Sequence, residues 1–371
     1  MTELTKLVLL YGGQSSEHEV SCMSAASVLR AFDENTYAVT PIGMDKQGRF
    51  YLNDRDELRD HLQALPVKTD RSILLPSLLK QENFIVDADV VFPVAHGSLY
   101  EDGCLQGLLE LAGVAYVGSG VLSSAVGMHK EVSRRLVCDE AIVSARYLLL
   151  TCNQRAEQRP AVCQKAVAQF GWPLFVKPCS LGSSIGVHRV NNLVELQKAV
   201  DDAFRYDEEV LIEEYISGRE IELAVLESTT PYDAPRVSLP GEIKVNHADG
   251  FYSYAAKYLD PNDCGLDAPA KDLSPETVGR LQQMAAEIFI RLKCKGMARV
   301  DFFVEPRTEK IYFNEINTIP GFTAISMYPK LWAVSGLKYD ALLAELVQLA
   351  KQQHMHRQQL TRAFKQTSSH F

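Results

Sequence analysis

At 371 residues the chain is long for a single core, so two or three domains are expected. Its hydrophobic content of 46% suffices for ordinary globular cores, and a formal net charge of -9 argues against free nucleic acid or an anionic membrane as the main partner. The eight cysteines are scattered, with no CxxC pair and no close Cys/His cluster, which speaks against a disulfide framework or a zinc site and for a reducing compartment.

The apolar run near the N-terminus is too short for a signal peptide and carries Glu3, and no run approaches transmembrane length. A soluble, cytoplasmic protein is expected. Leu7–Tyr11 reads as a strand running through Gly12 and Gly13 into a helix over about Glu17–Phe32, with Ser16 and Glu19 spaced as a capping box. A second strand is predicted near Ala38–Met44, a helix near Glu57–Leu65, a buried strand at Val90–Ala95, a helix at Cys104–Ala112 ended by Gly113, and a strand at Val114–Val117. This alternation implies a mostly parallel sheet.

The middle of the chain predicts helices at about Lys130–Glu140, Ala161–Phe170 and Leu193–Phe204, with strands at Tyr147–Leu150 and Leu174–Lys177. Strands then dominate: Val210–Glu214, Glu220–Glu227 and Val237–Ile243. The polar, tyrosine-rich stretch Asn246–Leu259 has no clear period and reads as a mobile loop, whose Tyr252–Tyr258 part with Lys257 and Tyr258 is either a closing lid or an exposed loop with a few aromatics. Ser274-Pro275 opens a long helix to about Lys293, and a hairpin follows at Met297–Val304 and Lys310–Ile316. Gln352–Phe371 reads as a polar, fraying tail.

Four segments carry chemistry. In ARVDFFVEPRTEKIYFNEINTIPG, strand alternation puts Arg299, Asp301 and Phe303 on one face and Phe313, Glu315 and Asn317 on one face of the returning strand. Pairing them converges two carboxylates and an amide oxygen, a hard donor set suited to magnesium with phosphate; ordinary charge pairs on a solvated hairpin are the alternative. Lys177-Pro-Cys-Ser-Leu-Gly-Ser-Ser-Ile-Gly186 follows a strand, so its N–H groups can cradle phosphate with Lys177 beside them, or it is a plain glycine-serine turn; it is not a Walker loop. Gly12-Gly-Gln-Ser-Ser-Glu-His-Glu19 lies at a strand's carboxyl end, where Glu17 either binds an ammonium group or complements the helix dipole. His96-Gly97 with Glu101–Gly107 is either a substrate wall or a glycine-rich turn.

Together these residues resemble the D-alanine–D-alanine ligases of the ATP-grasp superfamily. The likeness runs through GGQSSEHEVS, HGSLYEDGCLQG, GSGVLSSAVGMHK, VKPCSLGSSIGV, LIEEYISGREIE, YAAKY, ARVDFF and NEINTIPGFTAIS in family order, and the longer segment at 45–85 resembles the longer branch. The resemblance implies an α/β chain: a Rossmann-like substrate domain over 1–127, ATP-grasp parts over 128–217 and 218–351 with a closing loop near 246–259, and a polar tail over 352–371. It implies ATP, two magnesium ions with manganese as an alternative, two D-alanine molecules and a homodimer.

Residue by residue, the resemblance implies that Glu17 holds the first D-alanine's ammonium, with Ser183 and Tyr258 as its hydrogen-bonding partners and His96 near that substrate. Lys130 and Lys177 match the phosphate lysines, Lys257 the loop lysine, Glu213, Glu214, Tyr215 and Ile216 the adenine hinge, and Glu220 the ribose ligand. Asp301, Glu315 and Asn317 match the magnesium ligands, Arg299 and the Gly321 amide the oxyanion pair, and Ser326 the site of the second D-alanine's carboxylate. His129, Cys179 and Ile325 depart from the family, where aspartate, a small residue or serine, and often histidine stand. The implied reaction makes D-alanyl-D-alanine through an acyl phosphate, for peptidoglycan synthesis. The rivals are a ligase using D-lactate or D-serine second, another ATP-grasp carboxylate ligase, and a nucleotide-binding regulatory module.

Overall fold

The computed structural model describes residues 3–73, 88–153, 156–245, 264–323 and 325–361. Lys257, Tyr258 and the expected closing loop at 246–259 lie outside these.

Strand β1 (Thr5–Gly12) leads into helix α1 (His18–Ala31), then β2 (Tyr37–Met44), β3 (Phe50–Leu52), α2 (Arg55–Leu58), β4 (Ser72–Ile73), β5 (Val90–Pro93) and α3 (Cys104–Ala112). The sheet order is β4-β3-β2-β1-β5; β1 pairs in parallel with β2 and β5, and β3 and β4 add antiparallel strands at one side. The parallel centre is buried on both faces and is accordingly apolar, from Leu7 to Tyr11 and from Val90 to Phe92.

After α4 (Val121–Met128) and α5 (Lys130–Val137), a second sheet forms from β6 (Tyr147–Thr151), β7 (Leu174–Pro178), β8 (His188–Val190) and β9 (Glu209–Glu214), ordered β6-β9-β7-β8. Helices α6 (Arg159–Phe170) and α7 (Leu193–Ala203) cover it around Val176, Val200 and Ile212. The third sheet holds β10 (Arg219–Leu226), β11 (Arg236–Val237), β12 (Gly241–Val245), β13 (Cys264–Asp267), β14 (Met297–Val304) and β15 (Ile311–Asn317). Its main path is β13-β12-β10-β14-β15, backed by α8 (Pro275–Arg291), whose start is capped by Ser274.

Helices α9 (Met327–Val334) and α10 (Tyr339–Gln358) follow. Leu342, Leu346, Val347 and Ala350 of α10 join the same core as Leu7, Val28 and Phe92, so α10 packs on the first sheet. That core also takes in Ala224, Leu226 and Met297 of the third sheet.

Several expectations are corrected. Helix α1 starts one residue later than the expected capping box at Ser16/Glu19 places it: Glu17 is its N-cap, with no side-chain cap bond of its own. The helix expected over Glu57–Leu65 is the short α2, capped by Asp54; beyond it the chain turns onto α1, where Leu65 N donates to Cys22 O at 3.0 Å. Val114–Val117 makes one parallel bridge, Tyr116 to Val91, before the chain turns at Gly118 with φ 103°. The stretch Val237–Ile243 is two strands, because Pro240 has no N–H to give a ladder and Ser238 Oγ instead accepts from Ala224 N at 2.9 Å. The tail is helical through Gln358, held by Gln353 Nε2 donating to Glu227 Oε2 at 2.8 Å.

Candidate active site

The hairpin register determines the acidic cluster. Arg299 pairs with Asn317 and Asp301 with Glu315, but Phe302 pairs with Phe313, so a bulge leaves Asn314 over. One extra residue reverses the alternation. Phe313 therefore points into the core against Phe302 (ring centroids 6.3 Å apart), not to the face shared by Glu315 and Asn317 as simple alternation predicts. Without the bulge the strand could not supply both a buried aromatic and the acidic face.

On that face Arg299 donates to Asp301 through Nε (2.8 Å) and Nη2 (2.7 Å), and its Nε lies 3.1 Å from Glu222 Oε2. Burial works against the guanidinium's charge, but Asp301 and Glu222 outweigh it and lift Arg299 well above its ordinary pKa. Asn317 Nδ2 donates to Asp301 Oδ2 at 2.9 Å. Glu315 Oε2 lies 3.1 Å from Lys130 Nζ, which also donates to Leu181 O at 2.6 Å. Two carboxylates and an amide backed by lysine and arginine fit a divalent cation with oxygen ligands.

A cleft of about 490 Å³ opens between the second and third sheets. Tyr215, Ile216 and Glu220 line one part, with Glu213 and Glu214; Lys130, Lys177, Asn314 and Glu315 line another. Beneath it Glu213 is fully buried between Lys177 Nζ (2.7 Å) and Arg134 Nη1. Burial would raise this carboxyl, but Arg134 and Lys177 hold it at about 2. Arg134 also donates to Asn314 O through Nε and Nη2, tying α5 to the bulge. Glu214 instead accepts from Arg146 Nε at 2.7 Å, and Tyr215 stacks on Phe175 at 6.0 Å.

The glycine-serine segment rims the cleft through Leu181, Gly182 and Ser184, and its Ser183, Ser184 and Gly186 take φ of 51°, 58° and 66°. Such left-handed residues turn N–H groups to one side, which suits phosphate. Ser183 Oγ donates to Glu17 Oε1, so this segment meets the start of α1. Gly97 stands behind: a Cβ there would lie 2.9 Å from Glu17 Oε2. His96 is buried, with Nδ1 3.1 Å from Ile319 O and Nε2 3.2 Å from Ser24 Oγ; burial lowers its pKa and keeps it neutral. Gly321 is packed on Ser326, whose Oγ would lie 2.8 Å from a Cβ at that glycine, and which accepts from Thr323 N at 3.1 Å.

Three side chains were not singled out in the sequence. Arg134 gave no signal beyond a basic residue on a helix. Glu222 is two residues beyond Glu220 on the same strand, so alternation could have placed both on one face. Glu101 lay inside a noted segment; it is buried, accepts from Gly97 N at 2.7 Å, and is raised well above its ordinary pKa by burial and then by Glu17.

Residues 6–119 match the family described as D-ala D-ala ligase N-terminus, and 136–348 match D-ala D-ala ligase C-terminus. The chain belongs to the D-alanine–D-alanine ligase family. It is 59% identical over 360 residues to a D-alanine–D-alanine ligase of Legionella pneumophila, covering 97% of this chain and 99% of that one. A D-alanine–D-alanine ligase A of Bradyrhizobium diazoefficiens is 46% identical over 98% of this chain and all of its own length. Among solved structures, the Coxiella burnetii D-alanine-D-alanine ligase superposes with TM-score 0.78 at 38% identity, covering 96% of this chain and 97% of that one. A D-Ala:D-Ser ligase from Enterococcus faecalis does so with TM-score 0.77 at 32% identity, covering 94% and 100%. The fold is thus the α/β ATP-grasp arrangement of these ligases. No helix of the described residues is long and apolar enough to cross a membrane.

Proposed function

We propose that the cleft binds ATP and that the junction of Glu17, Ser183 and Arg299 binds the reacting amino acids. The chain is an ATP-dependent, ADP-forming ligase that makes D-alanyl-D-alanine for peptidoglycan synthesis. The observation that carries the site assignment is the position of Glu315: it pairs with Lys130 and sits in register with Asp301 at the edge of the cleft.

In this reading the segment Glu213–Ile216 receives the adenine and Glu220 the ribose. Lys130 and Lys177 turn from their carboxylate partners to the phosphates, joined by Lys257. Asp301, Glu315 and Asn317 would hold two magnesium ions, or manganese, which would supply positive charge to offset the phosphates. Glu17 pairs with the ammonium of the first D-alanine, oriented by Ser183 and Tyr258, with neutral His96 beneath. The carboxylate of that D-alanine attacks the γ-phosphorus and ADP departs, leaving an acyl phosphate. Ser326 receives the carboxylate of the second D-alanine, whose free amine attacks the carbonyl carbon. Arg299 and the Gly321 amide stabilise the oxyanion, and phosphate leaves as the peptide bond forms. The divisions at 127 and 217, a cytoplasmic location and a homodimer complete the proposal.

The likeness to a D-Ala:D-Ser ligase means that the fold alone does not select the second substrate. ADP release with D-alanine alone, then with D-alanine plus D-serine or D-lactate, tests this. D-alanyl-D-alanine as the main product of every mixture supports the reading; faster turnover to D-alanyl-D-serine or D-alanyl-D-lactate would replace it.

A further inference from the structure

His129, Cys179 and Glu209 are far apart in sequence, yet their ligand atoms all lie within 4.8 Å of one another. His129 is the N-cap of α5, and its Nδ1 accepts from Val132 N at 3.3 Å. Its Nε2 lies 3.2 Å from Glu209 Oε2, at the start of β9. Cys179 follows β7 and is fully buried behind them. The backbone locks the group together: Cys179 N donates to Glu209 O at 3.0 Å and Lys130 N to Cys179 O at 2.9 Å. The imidazole and carboxylate keep 23% and 34% of their side-chain surface open, which gives an ion a way in from solvent.

We propose that His129, Cys179 and Glu209 bind a zinc-class divalent cation at a site distinct from the catalytic carboxylates. The donors decide the class. Imidazole nitrogen, thiolate sulfur and carboxylate oxygen together suit zinc, whereas Asp301, Glu315 and Asn317 offer only oxygen to a hard ion. Three protein ligands leave a fourth position for water on the open side. Without an ion the thiol stays protonated, pushed up by burial and then by Asp207. Binding releases that proton to solvent as the sulfur–metal bond forms.

The ring proton is also redistributed. Because Nδ1 accepts from Val132, the neutral ring carries its proton on Nε2, facing Glu209. Coordination through Nε2 moves that proton to Nδ1 and ends the cap on Val132 N. Ion binding and the cap of α5 therefore exclude each other. The next residue is Lys130, whose ammonium reaches Leu181 O and Glu315. An occupied site shifts the turn that presents this lysine, so the ion acts as an inhibitor that raises the KM for ATP.

The test uses intact enzyme in saturating magnesium, titrated with Co2+ as a spectroscopic probe and competed with Zn2+. One tightly held ion with a near-ultraviolet thiolate-to-cobalt band is expected, with a rise in the ATP KM as it fills. Cys179→Ser should abolish the band and the inhibition while leaving magnesium-supported turnover in place. His129→Asn, which can still cap the helix, should weaken Co2+ binding about tenfold or more. A missing band, or a band that persists in Cys179→Ser, overturns the proposal and leaves the three residues as a helix cap packed on a thiol.

Discussion

Ser183 Oγ donates a hydrogen bond to Glu17 Oε1, joining the glycine-serine rim of the second sheet to the start of the first helix. Glu17 is nearly buried there, so its charge is available to a bound ligand in a closed corner. Glu17→Gln keeps the shape and removes the charge. Losing a charge-assisted hydrogen bond should cost roughly 1.5–3 kcal/mol, seen as about a 10- to 150-fold rise in the D-alanine requirement at the first site. ATP binding should change little. If Glu17 only complements the helix dipole, the melting temperature falls and the D-alanine kinetics stay put.

Glu315 meets both Lys130 and the Asp301 strand. Glu315→Gln should abolish most magnesium-dependent turnover and leave the circular dichroism spectrum unchanged. Activity close to that of the parent would refute its assignment as a cation ligand.

Glu213 is buried between two cations, so its loss strands Arg134 and Lys177. Glu213→Gln should destabilise the protein by roughly 3–5 kcal/mol, read from denaturant unfolding at neutral pH. The native carboxyl is held at about 2, below its ordinary 4.5. A depressed carboxyl stabilises the fold above its ordinary value and stops doing so as pH falls through the folded one. The parent should therefore lose stability relative to the variant between about pH 4.5 and 2, and a constant difference over that range would contradict the ion triad.

Glu101 has the opposite sign. Its folded pKa is raised well above the ordinary value, so the fold is penalised as pH rises through the unfolded carboxyl range. Glu101→Gln can still accept from Gly97 N. In metal-free enzyme it should melt higher than the parent at pH 7, with the gain vanishing at low pH. An equal or lower melting temperature at pH 7 would show that the carboxyl is ionised and satisfied.

Much of this site was legible because its chemistry lies in short motifs at strand ends. Alternation puts Arg299 with Asp301 and Glu315 with Asn317 on the hairpin, and the Ser274-Pro275 helix start follows from local capping. What escaped depends on contacts distant in sequence. The bulge at Asn314 turns Phe313 inward because Phe302 and the α8 core receive it there. Helix α4 is an apolar run, Val121–Met128, without a clear polar face to mark it. The stretch from Gln352 reads as a polar tail, yet helix α10 runs into it as far as Gln358, anchored on the first sheet by Leu342, Leu346 and Ala350. His129, Cys179 and Glu209 share no spacing pattern and meet only because β7, β9 and α5 converge.

The central claim is that this cleft activates a D-alanine carboxylate by phosphorylation before the second amine attacks. D-alanine labelled with 18O in its carboxyl group tests it in one measurement. Attack by the carboxylate on the γ-phosphorus carries one labelled oxygen into the phosphate that leaves when the peptide bond forms. One 18O atom is expected in inorganic phosphate for each dipeptide made, and dipeptide formed alongside unlabelled phosphate would contradict phosphorylation of the carboxylate.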